Sequence, residues 1–194
     1  MFFKRMFVPE IFRGQKNYVN TQKVYEAIKT VLLFAVSAAL FIAGYIATKS
    51  RMNLLTIVAV LGCLPASKSL VNLIMFLRFK SAPADLIQRI EAKSGDLPAL
   101  YDNVFTTYEK TYFVDHLVFR QNNLVCFAKE CKDTSKLEKH INEKLLAGGH
   151  KGITVKIFDN ESKYLERLAS LNELSSDNDK NADEIFNTIR AICL

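Results

Sequence analysis

Apolar residues are spaced differently on the two sides of residue 80. From Val31 to Thr48 the run VLLFAVSAALFIAGYIAT carries no charge over 18 residues. That is close to the roughly 20 apolar residues a helix needs to cross a hydrocarbon core of about 30 Å. A polar stretch, Lys49 to Asn53, leads into a second apolar run from Leu54 to Leu77, interrupted only near Pro65, Ser67, Lys68, Ser69 and Asn72. So short a link predicts two antiparallel helices, at about 31–48 and 54–78. Ser37, Ala38, Ala39, Ala43 and Gly44 are small enough to let the helices approach, since packing rather than the hydrophobic effect joins helices in lipid.

Beyond residue 80 the runs are shorter and the periods alternate. Pro83 suits the start of a helix with Leu86, Ile87 and Ile90 on one face, ending near Gly95. Aromatic and β-branched residues dominate Val104 to Phe119, and after the turn Gln121-Asn122-Asn123 a further strand covers Leu124 to Ala128, together a β-meander. Ser135 and Glu138 have capping-box spacing, and Leu137, Ile141, Leu145 and Leu146 line a helix that Gly148-Gly149 stops. Ile153 to Phe158 reads as a strand and Asn160 to Leu171 as a helix. After a polar gap, Ser175 to Asn181, a last helix places Ile185, Phe186, Ile189 and Ile192 inward. The fold class expected is an α+β membrane protein. A basic amphipathic segment (1–30) precedes a two-helix transmembrane hairpin (31–79), and a small mixed α/β soluble domain (80–194) follows in the order α, β-meander, α, β, α, α.

Charge sharpens the division. Residues 1–79 hold ten Lys/Arg against Glu10 and Glu26, a net +8, so an overall charge of +6 leaves −2 on the remaining 115 residues. A nucleic-acid-binding domain would carry the basic excess itself; here the excess flanks the apolar runs, which favours anionic lipid headgroups as its partner and argues against nucleic acid. Lys4, Arg5, Arg13 and Lys16, interleaved with Phe2, Phe3, Phe7, Ile11 and Phe12, suit a segment lying at the membrane interface, and equally a partly disordered basic tail, since Pro9 and Gly14 break any long helix. Six Lys/Arg precede the first helix, two lie in the turn and Arg78, Lys80, Arg89 and Lys93 follow the second. Both termini are therefore expected in the cytoplasm. A cleaved signal peptide fits less well, because the leader and the apolar core are both longer than such peptides use.

Candidate chemistry is sparse. The four cysteines, Cys63, Cys126, Cys131 and Cys193, form no C-x-x-C pair, and no phosphate-binding, dinucleotide-binding, zinc-protease or nucleophile-elbow motif occurs. No cofactor or metal is expected. Asp115-His116 on one strand and Lys129-Glu130 at the end of the next, followed by a helix and a strand, resemble in order the core of restriction-endonuclease-like proteins. That resemblance implies a divalent cation and an activated water, with Asp115, Lys129 and Glu130 as the catalytic candidates. The position two before the lysine, acidic in that pattern, is Phe127 here. Asp115 and His116 otherwise read as ordinary sheet residues, and His140 with Glu143 as part of a solvated helix face.

Lys68, with Ser67 and Asn72, stands within an apolar run, where a charge costs about 2.5 to 3.5 kcal/mol at mid-depth; it must snorkel, meet water or find protein partners. The leading expectation is a two-pass membrane protein whose cytosolic domain is a non-catalytic binding or assembly module, acting with a protein partner or as a homo-oligomer. The alternatives are a membrane-tethered metal-dependent hydrolase and an oligomeric channel or transport accessory.

Overall fold

The computed structural model describes residues 6, 9–50, 53–174 and 181–194. Lys4 and Arg5, the first phenylalanines and most of the polar gap before the last helix lie outside them. The chain divides into two compact units, one of Met1–Pro9 with Val19–Lys80, the other of Glu10–Tyr18 with Ser81–Leu194.

The first unit is a pair of long apolar helices, α1 (Tyr18–Thr48) and α2 (Leu54–Leu77), both long and apolar enough to cross a membrane. α1 starts well before the apolar run at Val31 because residues 18–30 contain no proline or glycine to stop it. α2 is capped by Asn53, whose side chain accepts from the Thr56 N–H (2.8 Å), and it continues through Pro65. Buried positions in α1 (Gln22, Glu26, Thr30, Ser37, Gly44) and in α2 (Ala59, Ala66, Ser69, Phe76) recur at multiples of three and four, the spacing of a helix–helix seam. A Cβ on Gly62 would lie 2.7 Å from Ser37 Oγ, and one on Gly44 would lie 2.8 Å from Leu55 Cβ. Of the five small residues read as a packing face, Ser37 and Gly44 meet the seam; Ala38, Ala39 and Ala43 point outward.

The second unit is built on a four-stranded sheet of β1 (Ala99–Thr106), β2 (Thr111–Arg120), β3 (Asn123–Phe127) and β4 (Thr154–Phe158), in that spatial order. β1–β2 and β2–β3 are antiparallel, while β3–β4 is parallel, connected through helix α4 (Thr134–Ala147). The remaining helices are α3 (Ala84–Ser94), α5 (Glu161–Asn172) and α6 (Ala182–Ile192). Six α-helices and four strands are thus present among the described residues.

Alternating side chains cover both faces of the sheet. Leu117, Phe119, Leu124 and Cys126 pack with Leu137, Ile141 and Leu145 of α4 and Ile185, Phe186 and Ile189 of α6. On the other face Val118, Val125 and Phe127 pack with Leu86 and Ile90 of α3 and Tyr164, Leu168 and Leu171 of α5. Burial on both sides explains why these strands read as nearly continuous apolar runs.

Three local features depart from the sequence pattern. β1 begins at Ala99, upstream of the expected strand, because Asp102, a turn-forming residue by type, is held inside it at φ 51° while its carboxylate accepts from the Ala82 N–H (3.4 Å). The aromatic stretch 104–119 is two strands, divided by a turn in which Thr107 and Lys110 exchange hydrogen bonds. Glu138 does not close a capping box with Ser135; its carboxylate accepts from the Ile157 N–H of β4 (2.8 Å). Gln121 and Asn122, with φ of 46° and 62°, form the two-residue turn between β2 and β3, consistent with a type I′ geometry that matches strand twist.

The outer edge of β1 is covered twice. Tyr101 N–H donates to the Gly14 carbonyl (2.9 Å), and Leu194 N–H donates to Val104 (2.9 Å) beside a bridge between Phe105 and Cys193. Both chain segments occupy backbone groups that an open strand would expose.

Candidate functional site

Asp115 and Lys129 are brought together, but through the backbone. Oδ2 of Asp115 accepts from the Lys129 N–H (3.0 Å), tying β2 to the residues just beyond β3, while the Lys129 and Glu130 side chains are exposed. Burial raises the Asp115 pKa to about 6, opposed by the Lys129 N–H and reinforced by the neighbouring carboxylates of Asp102 and Glu130. The carboxyl group is occupied as a structural acceptor, and Phe127, fully buried against Tyr164, supplies no oxygen ligand. No group of three His, Cys, Asp or Glu side chains able to hold a metal occurs among the described residues.

His116, the next residue, lies at the buried end of a polar chain that runs out to the surface. Its Nδ1 lies 2.6 Å from the Tyr164 hydroxyl, and its ring is 4.7 Å from that of Tyr101. Tyr101 OH donates to Glu91 (2.9 Å), which also pairs with Lys16. Burial lowers the His116 pKa to about 3, so the imidazole is neutral, and it raises the Tyr164 phenol well above its ordinary value. His116 and Tyr164 are wholly buried. A neutral imidazole sealed from solvent cannot exchange protons with a substrate, and the cluster's effect is to fix α5 and α3 to the sheet through directional bonds. Tyr164, Tyr101 and Glu91 were not legible as partners of His116, since 48 residues separate His116 from Tyr164.

The other singled-out residues fall apart spatially. His140 and Glu143 line an open groove with Lys136 and Lys139, where Lys139 pairs with Glu143 and Lys136 with Glu109. His150 bonds to Thr188 (2.9 Å). Cys126 is buried in the core, where burial raises its thiol pKa. Lys16 goes to Glu91, whereas Arg13 Nη1 donates to the Arg190 carbonyl (2.8 Å).

In the helical unit, Lys68 and Ser67 are exposed on the outer side of α2, Ser67 Oγ donating to the Cys63 carbonyl (2.8 Å), and Asn72 is half-buried. The buried polar groups are others. Ser69 Oγ donates to Glu26 Oε2 (2.8 Å) and accepts from Thr30 Oγ1 (3.0 Å); Gln22 Nε2 donates to Glu26 Oε1 (3.3 Å), and Lys29 Nζ lies 3.6 Å from the same oxygen. The available signal was the single acidic residue of α1, four residues from Gln22 and Thr30.

No family model matches the chain, and no curated protein and no solved structure shows significant similarity to it.

Proposed function

We propose that the chain is a two-pass membrane protein whose α/β unit is a non-catalytic binding or assembly module on the cytoplasmic side. The observation that carries the membrane part is the inverted distribution of side chains in the helical unit. Large apolar residues face outward, with Ile46 at 70%, Leu54 at 76% and Leu64 at 68% exposure, while Glu26, Thr30, Ser37 and Ser69 are buried. In water that arrangement would expose apolar surface to no benefit, whereas a bilayer solvates it, and the inward Glu26, Thr30 and Ser69 hydrogen-bond through Ser69. The flanking Lys/Arg support cytoplasmic termini.

The Asp115 carboxylate, buried and already accepting from the Lys129 N–H, with the buried Phe127 where a further oxygen ligand would stand, supports the binding role over the hydrolase. Two assays test the whole reading. The protein should resist alkaline extraction from membranes, with an introduced cysteine at position 50 labelled from outside intact cells and one at 150 protected. Phosphoesterase and nuclease assays with Mg²⁺ and Mn²⁺ should give no activity sensitive to Asp115→Asn; such activity would restore the hydrolase.

A further inference from the structure

Two guanidinium groups converge on one opening of the globular unit. A cavity of about 480 Å³ is lined by Ile11, Arg13, Asn187, Arg190 and Ala191. Arg13 Nη1 donates to the Arg190 carbonyl (2.8 Å), and Arg190 Nη1 donates to Asn187 Oδ1 (3.1 Å). The Nε atoms of both arginines are buried without a hydrogen-bond partner. Among the described residues neither guanidinium is ion-paired with a carboxylate.

The remaining side-chain hydrogen-bonding capacity is mostly donor. The two acceptors in these bonds, the Arg190 carbonyl and Asn187 Oδ1, each already receive a guanidinium N–H. What the side chains still offer to the cavity is the unused terminal guanidinium nitrogens and the Asn187 amide nitrogen, all donors, while each of the two acceptor oxygens keeps one lone pair. Guanidinium stays charged at any physiological pH, and a half-buried pair of them without counter-charge favours an anion. A carboxylate offers two oxygens to this set, whereas a terminal phosphate offers three and can take donors from both arginines and the amide together. Ile11, more than half exposed, and Ala191 supply apolar wall beside the donors, against which an organic group can lie.

We infer that this cavity binds the phosphate of a phosphomonoester, held by Arg13, Arg190 and Asn187, with the organic portion against Ile11 and Ala191. The site lies within the globular unit and stands whether or not the helices cross a bilayer.

The test uses the full chain in phosphatidylcholine nanodiscs, titrated calorimetrically with glycerol 3-phosphate against chloride at matched ionic strength. Saturable binding is expected. Arg190→Gln, which removes one fork, should weaken it about tenfold, the loss expected for a charge-assisted bond. Asn187→Asp should abolish it, because the new carboxylate satisfies Arg190 internally without disturbing the fold. Adding phosphatidic acid to the nanodiscs distinguishes the ligand's source: competition identifies a lipid headgroup, unchanged affinity a soluble phosphomonoester. Failure of glycerol 3-phosphate to bind the wild type, or equal binding by both variants with native circular dichroism, would overturn the site. Should the chain prove extractable as a soluble protein, the same titration in buffer tests the site separately from the anchoring.

Discussion

The Ser69 hydroxyl donates a 2.8 Å hydrogen bond to Glu26, 43 positions earlier in the chain, and so ties α2 to α1. The same hydroxyl accepts from Thr30, so Ser69 of α2 bonds to two side chains of α1. Ser69→Ala should lower the stability of the helix pair by about 0.6 to 1.7 kcal/mol, the range for interhelical hydrogen bonds in membranes. Lys68→Leu, on the outward side, should leave it unchanged. Unfolding of both variants in mixed micelles checks the contrast, and a larger loss in Lys68→Leu would mean that Lys68 has partners in an assembly.

Gly44 should not tolerate a side chain. Its Cβ would sit 2.8 Å from Leu55 Cβ, an atom fixed to the backbone, so Gly44→Val must push the helices apart near their connection. A loss of about 1 to 3 kcal/mol is expected from overpacking. Ala43→Val, one residue away and facing outward, is the control; equal stability of the two would contradict the seam.

Gly14 is constrained in the globular unit. It has φ 82°, and a Cβ there would lie 2.5 Å from Leu100 Cδ2. Gly14→Ala should therefore destabilise the intact protein by about 1 to 3 kcal/mol. The same segment supplies the Gly14 carbonyl to Tyr101 and Lys16 to Glu91, so residues 81–194 alone should melt below the full-length chain's globular transition. Calorimetry of both proteins decides it, equal midpoints counting against the contribution of residues 10–18.

Asp115 and His116 should give opposite pH dependences. The Asp115 pKa is raised from 3.8 to about 6, so between those values the folded state holds the extra proton and stability falls as pH rises. The His116 pKa is lowered from 6.5 to about 3, so over that window the unfolded state holds the extra proton and stability rises with pH. Between about pH 4 and 6 the two nearly cancel. Asp115→Asn should unmask a positive slope and His116→Gln a negative one, each at most about 1.4 kcal/mol per pH unit. Thermal midpoints followed by tyrosine circular dichroism from pH 4 to 6 would reveal them; parallel slopes in the two variants would refute the assignment.

Asp102, Glu138 and Arg13 take hydrogen-bond partners far away in the chain. Val31 to Thr48, the Leu137, Ile141, Leu145 stripe and the Gln121-Asn122 turn were legible because periodicity and turn chemistry are properties of residues close in sequence. The order of helices and strands beyond residue 80 followed from them. Asp102, a turn former by type, sits inside β1 because Ala82, 20 residues away, presents its N–H there. Glu138 is drawn from its expected cap by a β4 N–H 19 residues on, and Arg13 reaches Arg190 across 177 positions. Glu26 is polar on an apolar helix whichever way it turns; only the docking of α2 decides that it faces Ser69. Side-chain type and spacing fix what each segment can bury, but hydrogen bonds between distant segments depend on which faces meet, and that is settled when the whole chain packs.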